Sequence, residues 1–161
     1  MNKVAFINKY SGGFYGDQSS LEKKLADLAE LIFDNRNANA ETVTDDTTLT
    51  EDDSGKTINV GTDGKVITLP KITADNIGMK FRFRNIGADG AVALTLSPNA
   101  VDGINGSVPN SAADSVASGT VNKDLVNTKS TANKGDWVEI EAVALTAWYI
   151  NGGVGIWASE G

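Results

Sequence analysis

From about Thr42 onward the chain alternates apolar and polar residues with a period of two, in short runs separated by Gly, Asn, Asp and Ser. That rhythm confines most of the sequence to β-structure, because successive side chains on a strand point to opposite faces. Eight runs read as strands: residues 47–49, 56–60, 65–69, 79–85, 91–97, 137–143, 147–150 and 154–157. Between them Thr62-Asp63-Gly64, Gly87-Ala88-Asp89-Gly90 and Asn151-Gly152-Gly153 supply the positive φ that hairpin turns need. A length of 161 residues, 40% of them hydrophobic, suits one ordinary domain with an appendage. The expectation is a mainly β protein: a β-sandwich or jelly-roll-like domain over residues 41–161.

The clearest strand is 79–85, where Met79, Phe81 and Phe83 alternate with Lys80, Arg82 and Arg84. One face belongs to the core, and the other presents three cations in an acidic chain. Solvation explains such a stripe; so does an interface in which Arg82 and Arg84 face acidic residues of a neighbouring copy or a partner. Trp137, Trp148 and Trp157 fall near the end of the chain and read as core or inter-subunit packing, with an aromatic sugar-binding platform as the alternative. Residues 99–134 break the alternation for longer than a quiet loop lasts. They read as an exposed excursion or a subunit-contact loop, with one more strand at 121–127.

Ahead of this body the period is helical. Ser19 and Glu22 have the spacing of a capping box, and Leu21, Leu25, Leu28 and Ile32 follow at steps of four, three and four. The helix spans residues 19–36 and runs into an Asn-rich linker ending at residue 40. Its two-heptad seam is too short to hold a coiled coil unaided, so it packs on its own β-domain or on copies of itself. Residues 1–18 have neither period. Phe6, Tyr10, Phe14 and Tyr15 lie among glycines and polar residues there, as in a loose terminus or an arm that orders against a partner.

Histidine and cysteine are absent. That removes imidazole proton shuttles, Cys/His zinc sites, thiol catalysis, the Ser-His-Asp triad and disulfides. A net charge of −7 without a Lys/Arg cluster opposes nucleic-acid binding, and no apolar run is long enough to span a bilayer. Carboxylates remain. Asp45, Asp46, Glu51, Asp52 and Asp53 fall in a Thr/Asp-rich stretch typical of solvated turns. Glu139 and Glu141 alternate with Val138, Ile140 and Ala142 as an outward face does, rather than as a catalytic pair with one buried acid. No stretch has the EF-hand pattern or a phosphate-cradling glycine motif, so neither a metal site nor a cofactor is expected.

Several strings carry a resemblance. Thr47-Thr48-Leu49-Thr50, Asp53 to Val60 and Val66-Ile67-Thr68-Leu69-Pro70 are followed by Phe81-Arg82-Phe83-Arg84-Asn85 and Gly87-Ala88-Asp89-Gly90. Leu94 to Pro98, Asp102-Gly103-Ile104-Asn105-Gly106, Lys134 to Val138, Trp148-Tyr149-Ile150 and Gly155-Ile156-Trp157 complete the set. Together, over about residues 44–158, they resemble the β-domain of tailed-bacteriophage head decoration and head fibre proteins, the auxiliary capsid proteins. Related β-domains also occur in tail fibres. The resemblance implies a non-enzymatic virion protein, commonly trimeric, on the outer surface of a capsid and made in the host cytoplasm. It does not extend to the first 40 residues and carries over no binding residue.

The expectation is therefore a homotrimer bound to a major capsid protein. Phe6, Tyr10, Phe14 and Tyr15 would dock on the capsid, and Leu21, Leu25, Leu28, Ile32, Arg82 and Arg84 would form the oligomer interface. The alternative is a tail fibre or receptor-binding module that recognises a host-surface glycan.

Overall fold

A computed structural model of the chain describes residues 22–29, 39–109 and 115–160. The chain divides into two compact units, Met1–Asn39 and Ala40–Gly161. In the first unit residues 22–29 form helix α1, with Leu25 half-buried and Leu28 exposed. Leu21, Ile32 and the arm residues Phe6, Tyr10, Phe14 and Tyr15 lie outside the described residues.

The second unit holds twelve strands among the described residues: β1 (Ala40–Val43), β2 (Thr47–Thr48), β3 (Thr57–Val60), β4 (Lys65–Thr68), β5 (Lys80–Asn85) and β6 (Leu94–Ser97), then β7 (Gly103–Val108), β8 (Ser115–Val121), β9 (Leu125–Asn127), β10 (Trp137–Ala144), β11 (Ala147–Val154) and β12 (Trp157–Ser159). They form a β-sandwich of a seven-stranded sheet, β1-β3-β5-β10-β11-β7-β8, and a five-stranded sheet, β12-β9-β6-β4-β2. The first six strands go alternately to the two sheets. Each lies parallel to the strand one circuit earlier: β1 to β3 and β3 to β5 in one sheet, β2 to β4 and β4 to β6 in the other. The chain thus coils three times around the core before it changes to antiparallel pairing at β7–β8 and β10–β11.

This coil changes the meaning of the turns. Gly64 (φ 70°) and Gly90 (φ 67°) have the expected positive φ. The segments that contain them, however, carry the chain from one sheet to the other and are not hairpins. The expected turn at 151–153 lies inside β11. Glu139 faces Gly152 while Ile140 faces Ile150, so Asn151 is the extra residue of a bulge. The described residues of 99–134 are no exposed excursion either, because they supply β7, β8 and β9 to both sheets. The strand expected at 121–127 is split: Val121 ends β8, Asn122 takes a positive φ of 57°, and β9 begins at Leu125.

Alternation along the strands fills the interior. Ile58, Val60, Phe81, Phe83, Val138 and Ile140 point inward from the larger sheet, and Ile67, Leu94, Leu96 and Leu125 from the smaller. Phe81 sits 5.8 Å from the Trp148 ring and 6.2 Å from Phe83, centroid to centroid. Each fully buried side chain of this size contributes roughly 1.5–3 kcal/mol over leaving it in water.

Candidate functional site

On the outward face of β5 and β10 the register sets Arg82 opposite Glu139 and Lys80 opposite Glu141. Arg82 donates to Glu139 Oε2 through Nη2 at 2.7 Å and Nε at 3.1 Å, and its guanidinium lies 4.6 Å from the Trp137 ring centre. Lys80 Nζ stands 3.3 Å from Glu141 Oε2, which also accepts 2.7 Å from Asn151 Nδ2. That amide hydrogen bond, joined by Lys80, holds the Glu141 carboxyl below its ordinary range. The acids that face Lys80 and Arg82 are therefore supplied by the adjacent strand of the same chain. Arg84, half-buried on this face, makes no ion pair among the described residues.

The tryptophans are placed by the same alternation. Trp148 and Trp157 are fully buried, and Trp157 Nε1 donates to Val154 O at 3.2 Å. Trp137 is half-buried with Arg82 over its ring. Two of the three rings are thus core, as expected, and the third, where the alternative of a sugar platform would have to lie, has a guanidinium over it.

The early carboxylates tie loops together. Asp46 Oδ1 accepts from Val66 N at 3.0 Å. Asp53 Oδ2 accepts from Thr50 N and Oγ1 at 2.9 Å, while its other oxygen takes Lys56 Nζ at 2.7 Å. Lys56 also reaches Glu41 at 3.2 Å. Burial raises the Asp53 carboxyl, but the hydrogen bonds from Lys56 and Thr50 outweigh it and bring it below the usual value. Among the described residues no group of three or more acidic side chains is placed to hold a metal ion.

A polar cluster inside the sandwich was not anticipated from the sequence. Asn127 on β9 is fully buried; its Oδ1 accepts from Asn85 Nδ2 of β5 at 2.9 Å, which links the two sheets. Asn127 Nδ2 donates to Asp136 Oδ2 and to Ile156 O, both at 3.0 Å. Asn85 Nδ2 also donates to Val92 O, and Asp136 Oδ2 accepts from Asn133 N. The signal lay in the period of two, which puts Asn85 in phase with Phe81 and Phe83, and Asn127 in phase with Leu125.

The least expected surface is one end of the body. Ile77, Val101, Val121, Val143 and Leu145 are each between 46% and 57% exposed. Backbone hydrogen bonds join the segments that carry them: Gly78 N to Ala142 O at 2.7 Å, Gly103 N to Thr146 O at 2.9 Å and Asn122 N to Asp102 O at 3.0 Å. Gly103 is also register partner to Val121. Five half-exposed aliphatic side chains thus lie on segments joined by backbone hydrogen bonds, which makes this end a candidate interaction surface.

The chain matches no protein-family model and no curated protein. No helix among the described residues is long and apolar enough to cross a membrane.

Proposed function

We propose that this chain is a non-enzymatic, assembly-forming virion protein that decorates the outer surface of a phage capsid as a homotrimer. The observation that carries the reading is the aliphatic end of the β-body, a surface suited to another polypeptide. The engagement of Glu139, Glu141 and Asp53 with cations and amides supports it, since those carboxylates serve the fold. The exposed Leu28 of α1 agrees with a seam that a second copy covers. In this reading the arm bearing Phe6, Tyr10, Phe14 and Tyr15 docks on the major capsid protein, and the β-bodies project outward.

The test is copurification with intact particles and the copy number relative to the shell protein. Deleting residues 1–18 is expected to abolish capsid occupancy while leaving a folded oligomer. Leu25→Asp with Leu28→Asp is expected to give monomers in sedimentation. A wild-type protein that is monomeric at all concentrations and never found on particles would refute the proposal.

A further inference from the structure

We propose that Asp102 is a protonation-controlled latch on the end of the β-body that carries Ile77, Val101, Val121, Val143 and Leu145. Asp102 has no exposed surface. Its Oδ2 accepts from Ile72 N at 3.0 Å, whereas Oδ1 is buried and has no hydrogen-bond partner among the described residues. Its backbone N donates to Asn99 O at 2.8 Å, its carbonyl accepts from Asn122 N at 3.0 Å, and the next residue, Gly103, donates to Thr146 O at 2.9 Å. Two consecutive residues therefore tie the β6–β7 connection, itself closed by the Asn99 bond, to three others: β4–β5 through Ile72, β8–β9 through Asn122, and β10–β11 through Thr146. The five exposed aliphatic residues lie on or beside these same connections.

The state of one proton decides how well this junction holds. As a neutral acid, Asp102 keeps the bond from Ile72 and buries no charge. As a carboxylate it has two oxygens with about four acceptor sites and, among the described residues, a single donor to serve them. A buried charge so poorly bonded destabilises its surroundings. Among the described residues the connections that meet here carry few charges besides its own. The β4–β5 connection brings Lys71, whose charge favours the ionised form, and Asp75; β8–β9 brings Lys123 and Asp124; β6–β7 and the β10–β11 turn bring none. Burial, opposed by the Ile72 hydrogen bond and by Lys71, raises the carboxyl above its ordinary value. With the folded value raised above the unfolded one, the latch's stabilisation is complete below the unfolded pKa. It is lost as pH rises through the folded one. The end tightens in acid and loosens toward neutrality, whatever surface it meets.

Amide hydrogen exchange on the full chain, corrected for intrinsic rates, tests this between about pH 4 and pH 8, the range above an ordinary carboxyl. Protection at Ile72, Gly103 and Asn122 is expected to fall about tenfold relative to Phe83 and Ile140 for each unit by which the pKa is raised. In Asp102→Asn, which keeps an acceptor for Ile72 and cannot ionise, the fall should disappear. Parallel profiles in the two proteins would overturn the proposal. If the Asn variant does not fold, Lys71→Gln replaces it: losing the cation should move the fall to higher pH, and an unmoved profile would equally overturn the latch.

Discussion

Replacing Asn127 with Ala tests whether the buried amide cluster holds the two sheets together. The substitution removes three hydrogen bonds: from Asn85 Nδ2, to Asp136 Oδ2 and to Ile156 O. The partners are not equally affected. Asp136 keeps its bond from Asn133 N, and Asn85 keeps one amide hydrogen on Val92 O. Two groups are left without their partner, the second Asn85 amide hydrogen and the Ile156 carbonyl. At about 1–3 kcal/mol for the buried Asn85 donor and up to about 1 kcal/mol for the partly buried Ile156 carbonyl, the loss comes to about 1–4 kcal/mol. That is a large fraction of the roughly 5–15 kcal/mol total of a domain. Urea unfolding followed by tryptophan emission measures it as a shift of midpoint at unchanged slope. A loss under about 1 kcal/mol with the slope unaltered would refute the reasoning, because that is no more than an ordinary exposed hydrogen bond contributes. A cycle with Asn85→Ala should then show about 0.5–3 kcal/mol of coupling, as contacting residues do.

Three further expectations follow from the same geometry. Gly155→Ala should destabilise by about 2–5 kcal/mol, since its φ is 104° and a Cβ there would lie 2.3 Å from Asp136 Cγ; an unchanged thermal midpoint would contradict the packing around Asp136. Arg82→Ala should lose no more than about 1–2 kcal/mol in urea unfolding, because its bond to Glu139 is partly exposed and the Trp137 contact is a single cation–π pair. Asp53 has a folded pKa below its unfolded one, so its contribution is present above the unfolded value and disappears as pH falls through the folded one. The acid limb of stability against pH should flatten in Asp53→Asn, and a superimposable limb would show that its bonds to Lys56 and Thr50 contribute nothing.

The sequence by itself determined which residues face the core of each strand. Phe81, Phe83, Val138 and Ile140 are inward because a period of two leaves a strand no other choice once one face is buried, and Arg82 and Glu139 are outward by the same rule. It also marked Gly64 and Gly90 as positions of positive φ. Where the chain goes after such a turn is another matter. Returning along the same sheet and crossing to the opposite one ask the same of a glycine, so the three-circuit parallel coil could not be read from turn chemistry. Only tertiary structure decided the strand neighbours, and with them everything that depends on pairs distant in sequence. Glu139 became the partner of Arg82, Asn127 that of Asn85, and Asp102 with Gly103 tied their own connection to three others. Alternation is a property of one strand and its environment, whereas a neighbour is chosen by the packing of the whole chain.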